Sequence, residues 1–197
     1  MKTIRIVMLA FFVACVAAAL GSPARADEHD KLTIFTFSQP VELPGVTLPA
    51  GTYSFKLLDS FGDRNIVQVF DKDQTHLYAT ILTISDCRQQ PPDKTLVRFS
   101  ETAAGGPAAL KEWIYPGDDC GQEFVYPKNR AVELAKASNQ AVPSMPTNMS
   151  SEVTKPAKSS SDASVTAMKN AQLKAQQANG QETEVGDSFN NKPKNRK

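Results

Sequence analysis

The chain has 197 residues and a formal net charge of +1, with 22 Lys and Arg against 21 Asp and Glu. That balance supplies no strong field for nucleic acid or for an acidic substrate, which excludes binders that rely on one. The aromatic and β-branched residues of the middle third are enough to bury a real core.

The N-terminus reads first as an address. Lys2 and Arg5 precede an apolar run from Ile6 to Leu20, followed by Gly21-Ser22-Pro23 and Ala24-Arg25-Ala26. This charged, apolar, small-x-small order is that of a cleavable secretory signal peptide over residues 1–26. The apolar run is shorter than the roughly 20 residues a bilayer-spanning helix needs. Cleavage after Ala26 is therefore expected, leaving no transmembrane segment in the mature chain. Phe12-Val13-Ala14-Cys15 loosely resembles a lipobox, but Val16 to Leu20 continues the apolar run and keeps Cys15 inside the signal. The mature protein is expected in a periplasm or outside the cell.

In such a compartment the two remaining cysteines, Cys87 and Cys120, are expected to form one disulfide. A two-thiol metal site would want further His or Cys ligands, and the mature chain offers His29 and His76 alone.

From about Asp30 to Tyr126, short apolar runs alternate with turn residues. The candidate strands are Leu32 to Phe37, Val41 to Leu43, Thr52 to Leu58, Asn65 to Phe70, Leu77 to Ile84, Thr95 to Phe99, Leu110 to Tyr115 and Glu123 to Tyr126. Thr52 to Leu58 is the clearest, with Tyr53, Phe55 and Leu57 on one face and Thr52, Ser54 and Lys56 on the other. Pro44-Gly45, Asp71-Lys72-Asp73 and Pro116-Gly117-Asp118 carry turn chemistry between them. About eight strands of this kind predict an all-β domain over residues 27–138, an antiparallel β-sandwich or a small barrel. Lys128 to Ser138 follows as a short closing helix, with Ala131, Leu134, Ala135 and Ser138 at helical spacing. Residues 139–197 hold Pro, Ser, Gln, Asn and Lys with one aromatic residue, Phe189, and read as a disordered polar tail. Within it, Val165, Met168 and Ala175 align only loosely as a helix.

Several residues invite catalytic readings. Ile66 to Phe70 followed by Asp71-Lys72-Asp73-Gln74-Thr75 resembles the strand and nucleophile signature of haloacid-dehalogenase-type phosphatases. The resemblance implies Asp71 as the group attacking phosphorus and Asp73 as acid/base. It further implies Asp118 or Asp119 on magnesium, with Lys94 or Lys111 balancing charge. That chemistry sits on a parallel sheet with crossover helices, and residues 75–118 lack a helix-length pattern. The competing reading of Asp71 to Gln74 is a polar hairpin turn. Asp71 and Asp73 are also weak candidates for a cation such as calcium, without the EF-hand pattern around them. Glu112, Glu123, Asp118 and Asp119 are the carboxylates from which a glycosidase would draw its pair, and spacing singles out none. His76 would need a Ser or Cys partner in space to act in a triad. No glycine-rich phosphate loop and no other cofactor motif is present, and no basic-aromatic ladder for nucleic acid. Trp113 and Tyr115 share one strand face, which makes either a stacking platform for sugar or peptide or part of the core.

The stretch Phe37-Ser38-Gln39-Pro40-Val41-Glu42-Leu43-Pro44-Gly45-Val46-Thr47-Leu48-Pro49-Ala50-Gly51-Thr52-Tyr53-Ser54-Phe55-Lys56-Leu57 resembles the opening of a group of uncharacterised exported proteins from soil bacteria. Arg64 to Phe70, His76 to Leu82 and Gly121 to Lys128 resemble the same group, so that the likeness spans about residues 32–136. It implies one exported β domain and brings no activity and no catalytic residue.

The reading these features favour is an exported, non-catalytic envelope or extracellular module that binds a surface polymer, a small ligand or a partner protein. Two alternatives stay open: a metal-dependent, phosphatase-like hydrolase using Asp71 and Asp73, and a small barrel carrying an apolar ligand.

Overall fold

The computed structural model describes residues 31–59, 64–87, 90–102, 106–149 and 156–185, and the expected signal peptide lies outside them. The fold is all-β, built from two sheets with short helices toward the C-terminus.

The large sheet grows from β1 (Thr33–Phe37), β2 (Val41–Leu43), β3 (Val46–Leu48), β4 (Gly51–Asp59), β5 (Arg64–Asp71), β6 (Leu77–Cys87), β7 (Leu96–Ser100), β8 (Ala108–Ile114) and β9 (Cys120–Phe124). Its antiparallel path runs β1-β4-β5-β6-β9-β8, with β7 antiparallel on the opposite edge of β8. β2 and β3 form a hairpin through Gly45, whose φ of 83° suits glycine, and β2 runs parallel to the start of β8.

Alternation along these strands sends one set of side chains inward. Tyr53, Phe55 and Leu57 of β4 meet Val67 and Val69 of β5, Ile81 of β6, Trp113 of β8 and Phe124 beyond. Phe35 on β1 contacts Trp113 edge-on at 6.3 Å, which requires the sheet to curl until β1 faces the β7–β8 side. In the interior, Phe35, Phe55 and Trp113 make mutual edge-to-face contacts of the favourable kind. Helix α1 (Lys128–Ser138) closes one end by burying Ala131, Leu134 and Ala135 in this core, and stops at Asn139 in a left-handed conformation. Cys87 and Cys120 stand opposite each other on β6 and β9 and are disulfide-bonded.

The described residues of the tail, 139–149 and 156–185, depart from expectation. β10 (Tyr126–Pro127), β11 (Val142–Met145), β12 (Lys174–Gln176) and β13 (Glu182–Glu184) form a second sheet, and α2 spans Ala163–Asn170. Residues 186–197 lie outside the described residues. The cause is on the other face of β5 and β6. Ile66, Leu82 and Ile84 point outward and need cover, which Val165, Met168, Ala171 and Leu173 provide together with Val125 and Met145. A segment too polar to fold alone is ordered because the sheet supplies the apolar surface that it lacks.

A buried polar clasp sets the position of this strap. Gln68 and Thr80 are cross-strand partners on β5 and β6. Gln68 Nε2 donates to Ala157 O at 2.7 Å, while Thr80 Oγ1 lies 3.0 Å from Ala157 O and accepts from Ala157 N at 2.9 Å. Both backbone polar atoms of Ala157 are thus satisfied by two side chains that would otherwise be orphaned beneath the strap.

Two stability changes follow. The disulfide closes a loop with a sequence separation of 33, so Cys87→Ala with Cys120→Ala should cost about 3–4 kcal/mol on the chain-entropy account. Urea denaturation of the oxidised protein and the double variant measures it. Thr80→Val should cost about 1–3 kcal/mol and raise hydrogen exchange at Ala157, since it strips the partner from a buried N–H. An unchanged midpoint and unchanged exchange would show that the clasp does not hold the strap.

Candidate functional site

Asp71 sits at the end of β5 where the chain turns into β6. Its carboxylate accepts from Thr75 N at 2.7 Å, Thr75 Oγ1 at 2.5 Å and His76 N at 3.0 Å. The main chain closes the same turn through Gln74 N to Asp71 O and Asp71 N to His76 O. These bonds, the Thr75 hydroxyl first, hold the Asp71 carboxyl below its ordinary pKa. Asp73 points to solvent, and His76 stacks edge-on against Tyr78. The segment is an antiparallel hairpin without the parallel strand and crossover helix that phosphoryl transfer on this motif uses. Among the described residues, no three His, Cys, Asp or Glu side chains converge as a metal site.

Of the two readings of the Trp113 and Tyr115 face, stacking platform or core, Trp113 takes the core. Trp113 is 1% exposed and lies in the aromatic core, because its face of β8 points inward. Tyr115 is half-buried at the edge of that core, with the Lys31 ammonium 5.8 Å from its ring centre.

The carboxylates divide. Glu112 and Glu123 stand directly opposite on β8 and β9, on the outward face, and both are buried. Arg98 Nη1 lies 3.3 Å from Glu112 Oε2. Gly121 admits this arrangement, since a Cβ there would come within 2.6 Å of Glu112 Oε1. Burial keeps the pair from a solvent-borne substrate. Asp118 pairs instead with Lys31, and Asp119 is exposed in the turn before β9.

A shallow depression of about 340 Å³ lies between the β2–β3 hairpin and the start of α1, lined by Leu43, Val46, Tyr126 and Arg130 among others. Its one cation is committed. Arg130 donates to both oxygens of Glu42 at 2.7 Å and to Glu133 at 2.5 Å, a fork that ties α1 to β2. Tyr126 OH donates to Leu110 O at 2.8 Å beneath it, and burial pushes that phenol well above its ordinary pKa.

A different surface stands out at the edges of the curled sheet. Among the described residues β1 is bonded only to β4, and β7 only to β8, so each presents one edge unpaired within them. Six antiparallel steps connect them through β4, β5, β6, β9 and β8, and the two edges therefore run in the same direction. Phe37 and Phe99 meet across the gap with ring centres 6.4 Å apart. The exposed large apolar side chains among the described residues gather here: Leu32 at 42% and Ile34 at 57% on the β1 side, Leu96 at 36% and Phe99 at 44% on β7. By composition alone these runs are ordinary strands. A signal was present, because Leu32-Thr33-Ile34-Phe35-Thr36-Phe37 is apolar on both faces at one end and carries no charge.

No protein-family model, curated protein or solved structure matches this chain.

The Asp71 geometry makes a pH-dependent expectation. Its folded pKa lies below the ordinary 3.8, so its contribution is present above that pH and is lost as pH falls through the lower folded value. Asp71→Asn should lower stability at neutral pH and flatten the acid limb of the stability curve below about pH 4. Denaturation midpoints of both proteins across that range provide the check.

Proposed function

We propose that the chain is an exported, non-catalytic binding module whose binding face is the seam between β1 and β7, and that its partner is an extended polypeptide segment. The observation that carries this reading is the placement of Leu32, Ile34, Leu96 and Phe99 on two unpaired strand edges. Soluble proteins blunt free edges with charge, proline or a cover, and the Leu32 to Phe37 edge carries none of these within it. Two edges running in the same direction both accept a strand antiparallel to them. A guest strand adds main-chain hydrogen bonds along the edge, and its alternate side chains cover the exposed apolar residues.

Export is supported by the order of residues 1–26 and by the Cys87–Cys120 disulfide, which belongs in an oxidising compartment. No helix among the described residues is long and apolar enough to cross a membrane.

The test is a titration of the isotopically labelled protein with a synthetic hexapeptide of alternating Val and Thr. Amide shifts should concentrate on β1 and β7. Ile34→Lys and Leu96→Lys, both at exposed positions, should weaken binding about tenfold with no change in melting temperature. Shifts that spare β1 and β7, or that survive both substitutions, refute the reading.

A further inference from the structure

The inward face of the large sheet is not uniformly apolar. Toward the disulfide end, four strands each contribute one buried polar side chain: Asn65 from β5, Thr83 from β6, Trp113 from β8 and Gln122 from β9. Register places Asn65 opposite Thr83 and Trp113 opposite Gln122. Gln122 Oε1 accepts from Asn65 Nδ2 at 2.7 Å and lies 2.9 Å from Thr83 Oγ1. That acceptor turns the Asn65 amide so that its nitrogen faces Gln122, which leaves Asn65 Oδ1 directed elsewhere.

Two buried atoms of this group have no partner: the acceptor Asn65 Oδ1 and the donor Trp113 Nε1. Buried polar atoms of folded proteins are satisfied by protein or by a bound molecule, because an orphan forfeits the hydrogen bond that water gave it. One donor and one acceptor are left over, and both are neutral. A carboxylate could meet only the indole N–H, an ammonium only the amide oxygen, and each would bring a charge among four uncharged side chains. A hydroxyl donates and accepts without charge. Solvent is also near: two residues along β9 from Gln122, about 7 Å of strand, Cys120 is half-buried, and its partner Cys87 is exposed.

We infer that the disulfide end of the sheet interior is a binding site for a neutral hydroxyl-bearing ligand. Hydroxyl hydrogen is given to Asn65 Oδ1 and hydroxyl oxygen receives Trp113 Nε1–H. The smallest such ligand is a resident water; a larger one is the hydroxyl edge of a sugar. The site is separate from the β1–β7 seam and stands or falls independently of it.

The chain has one tryptophan, so a single indole N–H resonance reports on the site. The experiment uses the full mature chain with labelled tryptophan, first in buffer and then titrated with glucose. A cross-peak from the indole N–H to a long-lived water, with no response to glucose, identifies water as the occupant and upholds the site. A saturable shift of that resonance with glucose, weakened about tenfold by Asn65→Leu, identifies a sugar. An indole N–H with neither a water cross-peak nor a saturable shift overturns the inference. The wild-type measurement decides this even if the Asn65 variant fails to fold.

Discussion

β5 and β6 are buried on both faces, and this double burial is the constraint on which the rest of the molecule is arranged. Val67, Val69 and Ile81 face the aromatic interior, while Ile66, Leu82 and Ile84 face the C-terminal strap. A strand pair with apolar residues on both sides cannot be left at a surface, since its outward face would remain wetted at about 25 cal/mol per Å² of apolar area. The curled sheet covers one side and the strap of residues 156–173 covers the other. Placing Gln68 and Thr80 on the outward side, where they hold the backbone N–H and C=O of Ala157, gives that cover one register. Apolar contact alone would allow the strap to slide.

The same curl creates the features with functional content. An odd set of strands joined by antiparallel steps brings β1 and β7 round to face each other in the same direction, and among the described residues no strand pairing joins them. The seam is thus a product of topology, and the exposed Ile34 and Leu96 beside it are a product of composition on two short strands. Inside, the polarity changes along the axis of the sheet. The end closed by α1 is packed with Leu134, Ala131 and Tyr126, whereas the disulfide end carries Asn65, Thr83 and Gln122 beside the indole of Trp113.

Much of the fold was legible from the residues. Thr52 to Leu58 alternates as a half-buried strand, and Tyr53, Phe55 and Leu57 are the side that is buried. Asp71 to Gln74 lies in a hairpin turn because Asp71 is followed by Thr75 and His76, whose N–H groups its carboxylate can reach. The strap was not legible. Composition averages over residues 139–185 register mostly polar side chains, and the few apolar ones matter only once Ile66, Leu82 and Ile84 are known to point toward them. Glu112 and Glu123 illustrate the same limit, since their pairing depends on the register of β8 against β9 and on the absent side chain of Gly121.

The sequence by itself determined the β periodicity, the turn chemistry, the two cysteines available for pairing and the closing helix at Lys128–Ser138, because each depends on neighbours a few residues apart. Tertiary structure alone decided that Trp113 is interior, that the strap is ordered, and that β1 and β7 have edges unpaired among the described residues. The reason is physical. Which face of a strand is covered, and which edge is paired, depends on strand order and curvature, which join residues far apart in the chain and leave little trace in local pattern.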